Sequence, residues 1–100
     1  MSNIFSVEHE HTTVPLPHGG VQHTFHLDNG VTVSAVRAAC VNAAGAPVVR
    51  DLWEVCAWSH DSADTIFLAG ADEAGVVNSL TTDQVGLRIR EAAALSKAGA

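Results

Sequence analysis

The sequence predicts an α+β domain: an antiparallel four-stranded sheet, made of a β-hairpin plus two further strands, with one C-terminal α-helix packed on one face. Three observations carry this expectation. Asp28-Asn29-Gly30 sits between two runs of alternating apolar residues. Leu52 to Trp58 alternates in the same way, with an aromatic on each face. Thr81 to Leu95 carries a capped apolar stripe at helical spacing.

One hundred residues suffice for one domain with a single core. Residues 1–22 form an irregular, His-rich N-terminal segment ahead of an α+β domain at 23–100. Val14-Pro15-Leu16-Pro17 followed by His18-Gly19-Gly20 breaks regular structure, because proline lacks an amide donor and glycine loosens the chain. Ile4 to Val7 is placed as a short edge strand.

The hairpin follows. Asn-Gly tolerates the positive φ of a tight turn, and the apolar pattern selects the loop length. A two-residue loop would mix polar and apolar residues on both faces. A three-residue loop pairs Leu27 with Val31, Phe25 with Val33 and His23 with Ala35. It gathers Phe25, Leu27, Val31, Val33 and Ala35 on one face, with His26, Thr32 and Ser34 on the other. The second strand extends towards Val41.

Asn42 to Pro47 reads as a loop of small residues. Val48 to Ser59 reads as a central strand, with Trp53, Val55 and Ala57 opposite Leu52, Glu54, Cys56 and Trp58. Ser59 to Asp64 is a polar connection, and Thr65 to Ala69 a fourth strand. Ala71 to Ser79 contains a helix-prone Ala-Asp-Glu-Ala opposed by Gly75 and Val76-Val77, and is assigned at most a helical turn. The helix spans Thr82 to about Lys97. Thr81 and Gln84 form a capping box, and Leu80 and Val85 a hydrophobic staple. Val85, Ile89, Ala92 and Leu95 make the buried stripe.

Charge narrows the functional classes. Five basic residues stand against eleven acidic ones, a net charge of −6. Phosphate repulsion disfavours direct binding of nucleic acid, whereas a protein partner with a basic groove is suited. No apolar run approaches the roughly 20 residues of a membrane span. The first residues lack the basic start and apolar stretch of a signal peptide, so the expected location is cytoplasmic.

Leu27-Asp-Asn-Gly-Val-Thr-Val-Ser, Leu52-Trp-Glu-Val, Leu80-Thr-Thr-Asp-Gln-Val and the Ala94-Leu95 end resemble small accessory proteins encoded by bacteriophages and prophages. The likeness runs in scattered blocks from Phe25 to Leu95. It implies a compact accessory protein working in the cytoplasm of a bacterial host, and brings no catalytic residues with it.

Candidate chemistry is sparse. Five of the six histidines fall within the first 26 residues. His9, His11 and His18 are the candidate metal ligands, with His23 as an alternative third. Their spacing matches no zinc signature, and the expectation is surface histidines without a cofactor. Ser59-His60-Asp61 has the residue types of a hydrolase triad, but adjacency in sequence is not triad geometry, and a turn explains it. Cys40 and Cys56 are enough for one disulfide but fit no metal pair, and in a cytoplasmic chain they are expected buried and reduced.

The expectation is therefore a non-enzymatic protein-binding module of phage origin, in its most concrete form an anti-CRISPR inhibitor that occupies a basic nucleic-acid groove of a host defence complex. Glu54, Trp58, Asp61, Asp64, Asp72 and Glu73 are its candidate contacts. A phage structural or assembly protein, or a homodimer, is the alternative; metal binding through the N-terminal histidines is a third.

Overall fold

The computed structural model describes residues 4–9 and 12–95. Strands β1 (Thr12–Pro15), β2 (Val21–His26), β3 (Val31–Arg37), β6 (Trp53–Ser59), β7 (Thr65–Ile66) and β8 (Val77–Leu80) form one antiparallel sheet. Its order is β1-β2-β3-β6-β7, with β8 also on β6. Strands β4 (Ala39–Val41) and β5 (Pro47–Val49) make a separate two-stranded ribbon, and α1 (Thr82–Ala93) closes the chain. The α+β class and the C-terminal helix agree with the sequence; the sheet has six strands instead of four.

The hairpin adopts the register that its apolar pattern selects. His23 faces Ala35 and Phe25 faces Val33. The Leu27 amide donates to the Val31 carbonyl at 2.8 Å, and the Gly30 amide to the Leu27 carbonyl at 3.1 Å. Gly30 takes φ +82°, the left-handed conformation that closes a three-residue loop.

Pairing of β3 with β6 places Val33 beside Ala57 and Ala35 beside Val55, so the apolar face continues across the sheet. Helix α1 covers that face with Val85, Ile89 and Ala92, and Leu68, Val77 and Leu80 complete the core. The capping box is present: the Thr81 hydroxyl accepts from the Gln84 amide, and the Gln84 side chain accepts from the Thr81 amide. Trp53 is fully buried, its indole N–H donating to Thr82 Oγ1 at 3.2 Å and its ring lying 4.8 Å beneath the Arg37 guanidinium.

Several expectations are corrected. The irregular N-terminal segment contains β1 and a 3-10 turn at Pro17–Gly19, because Thr12–Pro15 finds an edge to pair with, where proline is tolerated. Ile4 to Val7 is not a strand; it crosses the core, burying Phe5 and Val7. The strand expected over Val48 to Ser59 is broken. Between the pairs Val36–Glu54 and Ala39–Val49, two residues (37 and 38) oppose four (50 to 53), so β3 and β6 leave the sheet and re-pair beyond it as the β4–β5 ribbon. Ala71 to Ser79 contributes β8, not a helical turn, and Thr65 to Ala69 keeps only two strand residues. Helix α1 ends at Ala93 with Leu95 exposed; residues 96–100 lie outside the described residues.

Candidate functional site: the open sheet face

Alternation leaves a second face opposite the helix. It carries Gln22, Thr24 and His26 from β2, Thr32, Ser34 and Val36 from β3, and Glu54, Cys56 and Trp58 from β6. No described element covers it. Thr32 and Ser34 are nonetheless buried, because larger neighbours lean over them. Gln22 Nε2 donates to Ser34 Oγ at 2.9 Å, and Thr32 Oγ1 lies 3.1 Å from His26 Nδ1 and 3.4 Å from His60 Nδ1.

Trp58 is half-buried at the centre of the β6 end of this face, paired with Thr32 on one side and Thr65 on the other. It lies on the face opposite Val55 and Ala57, which belong to the core that α1 covers. Beside it, the His60 amide donates to the Gly30 carbonyl at 2.8 Å, which ties the 60–64 turn to the hairpin turn. That bond brings the exposed carboxylates Asp28, Asp61 and Asp64 to one end of the sheet.

The other candidate carboxylates do not join them. Glu54 stands at the opposite end of β6, seven residues from Asp61 and so up to about 23 Å away along an extended strand, and it pairs with Arg50 at 3.7 Å. Asp72 is occupied by its own turn. One oxygen accepts from the Ala74 and Val76 amides at 2.9 Å, the other from Asn78 at 3.2 Å. The Val76 amide above all, aided by Asn78, Ala74 and Gly75, outweighs the opposing cost of desolvation and holds this carboxyl below its usual value. Glu73 is exposed in the same loop.

The histidines also scatter. His9 and His18 flank β1 at opposite ends, His11 lies outside the described residues, and His23 is a core residue. The His23 ring packs 5.2 Å from Phe5 and 5.7 Å from Trp53, with Nδ1 3.2 Å from Thr13 Oγ1. Among the described residues, no three His, Cys, Asp or Glu converge to hold a metal ion.

Ser59-His60-Asp61 forms a turn: the Ser59 amide donates to the Asp64 carbonyl and the Ala63 amide to the Ser59 carbonyl, both at 2.8 Å. The His60 ring faces Thr32, not Ser59. Cys56 is half-buried, and burial followed by the nearby Glu54 charge pushes its thiol up, away from nucleophilic character. Cys40, expected buried, is exposed on β4, because that strand has left the sheet.

A groove of about 470 Å³ lies between residues 6–9 and the helix, lined by Ser6, Val7, His9, Ile89 and Arg90. Its guanidinium is committed, Arg90 donating to the Ser6 carbonyl at 3.1 Å. No described helix is long and apolar enough to cross a membrane. Comparison with protein-family models, curated proteins and solved structures yields no match.

Proposed function

We propose that the protein is a small non-enzymatic binding module that seats a protein partner on the open face of its sheet. The observation that carries this reading is Trp58, a half-buried indole on a face that no described element covers. Tryptophan is enriched at the centres of protein interfaces, where it supplies a large apolar contact with little conformational entropy to lose. The carboxylates Asp28, Asp61 and Asp64 beside it favour a partner presenting Arg or Lys. With a net charge of −6, the form of the reading most suited is an inhibitor, of phage origin, that covers the basic groove of a nucleic-acid-binding defence complex of the CRISPR type.

Affinity capture with tagged protein, from bacterial lysate at low and moderate salt, tests this. A defence complex held in stoichiometric amount should be lost with Trp58→Ala. With Asp61→Lys/Asp64→Lys it should bind more weakly and with less salt dependence. It should be unchanged with Leu87→Ala on the exposed side of the helix. Equal capture by all four proteins overturns the reading.

One observation favours self-assembly as the second reading. The β4–β5 ribbon projects from the sheet, contains no charged side chain from Ala38 to Val49, and exposes Val41, Val48 and Val49. An uncharged ribbon on an acidic chain suits insertion into another copy or a virion component. Light scattering over a concentration series should then show a mass that rises with concentration and reverts with Val41→Lys/Val48→Lys; a constant monomer mass removes it.

A further inference from the structure

The open face holds an arrangement that the binding reading does not use. His26 ends β2, Thr32 follows the start of β3, and His60 lies one residue past β6. Thr32 is the cross-strand partner of both His26 and Trp58, so β3 sets its hydroxyl between the two imidazoles. The rings stand nearly perpendicular, with centroids 5.2 Å apart. Both histidines are exposed, while Thr32 is 0% exposed beneath them.

A hydroxyl has one proton, so Oγ1 can donate to one Nδ1 while accepting from the other. The two Nδ1 atoms thus aim at a single point, one with a lone pair and one with an N–H. Neutral imidazole exchanges its proton between Nδ1 and Nε2, and that tautomer change presents two lone pairs to the same point. Two imidazole nitrogens facing one hydroxyl, one from the end of β2 and one from the turn after β6, stand within reach of a shared cation. Imidazole nitrogen prefers late first-row divalent ions, held at about 2.0–2.1 Å in the case of zinc. The carboxylates of the two adjoining turns add a local negative field.

We propose that His26 and His60 form a chelating site for a late first-row divalent cation of the zinc or copper(II) class, seated over Thr32 Oγ1 with water completing its coordination. Its proposed ligands are His26 and His60, not His9, His11 or His18. With two protein ligands it leaves positions open, as an exchangeable or ligand-sharing site does and a closed structural site does not.

Titration of the full chain with copper(II) and with zinc(II) tests this, by calorimetry and by tryptophan fluorescence. Trp58 adjoins the site in register, whereas Trp53 is buried in the core, so bound copper(II) quenches Trp58. One equivalent should bind and quench. His26→Gln or His60→Gln should each weaken binding by about tenfold or more, since either leaves a single ligand and no chelate. The triple variant His9→Gln/His11→Gln/His18→Gln should bind as the parent does. Nitrogen resonances of His26 and His60 should shift on adding zinc(II) to the unmodified chain, a readout that requires no substitution. Absence of saturable binding, binding indifferent to both single substitutions, or loss confined to the N-terminal triple overturns the proposal.

Discussion

Gly86 lies inside α1, where alanine normally favours a helix by about 1 kcal/mol. Here it is buried, and a Cβ would overlap the Phe5 carbonyl oxygen. The helix needs glycine because the segment through Phe5 runs against its backbone. Gly86→Ala should therefore destabilise the protein by about 1–3 kcal/mol, the usual cost of overpacking, despite the gain in helix propensity. Leu87→Ala, at an exposed position, should change it by less than about 0.5 kcal/mol; urea denaturation measures both. Asp72 and Glu91 contribute to the acid response. The Val76 amide and its neighbours lower the Asp72 pKa. At Glu91, partial burial raises the pKa, but the Ala69 amide, the Arg88 hydrogen bond at 2.8 Å and the Arg88 charge outweigh it and leave the value lowered. A folded-state pKa below the unfolded one contributes stability that is complete above the unfolded value, about 4, and is lost as pH falls through the folded value. Urea midpoints should thus drop below about pH 4, and drop less in Asp72→Asn/Glu91→Gln; an equal drop in both proteins contradicts the assignment. None of this was legible in the sequence. The role of Asp72 depends on which amides its loop turns inward, and that of Gly86 on a segment some eighty residues away in the chain.

At the scale of elements, local chemistry was legible and long-range pairing was not. The Thr81–Gln84 box and the 28–30 loop are written in adjacent residues and appear as read. Strand β8 was hidden because Val77–Leu80 buries only its first and last residues, a pattern no period-two reading detects. The break between β5 and β6 was hidden because Arg50 to Leu52 continues the chain without a proline or glycine. The hairpin turn and the helix are also joined in a way no local pattern records. Asn29 Nδ2 donates to the Ala92 carbonyl at 2.8 Å and to the Leu95 carbonyl at 3.2 Å, while its Oδ1 accepts from the Val31 amide at 3.2 Å. One side chain thus supplies the last helical turn with a donor and fixes that end of the helix to the sheet. Asn29→Ala should cost about 1–2 kcal/mol and speed hydrogen exchange in the last turn of α1. Exchange left unchanged there would contradict the coupling.

Over the whole molecule, the sheet separates two kinds of chemistry. One face is apolar and closed by α1; the other is polar, holds Trp58, and adjoins an acidic end. The sequence-level contacts resolve along that division. Trp58, Asp61 and Asp64 gather at one end of the open face, while Glu54 pairs with Arg50 at the other and Asp72 serves its turn. The pairing of His26 with Thr32 followed from the hairpin register, but the arrival of His60 required the β3–β6 register, which the sequence does not encode locally. The proposed function seats a partner on the open face. The most direct measurement places a photo-crosslinking phenylalanine analogue at position 58 and, in a separate protein, at position 87 on the exposed side of α1, and irradiates both in bacterial cells. A partner seated there gives one discrete cross-linked product from position 58, absent from position 87. No product from position 58, or the same products from both positions, would contradict it.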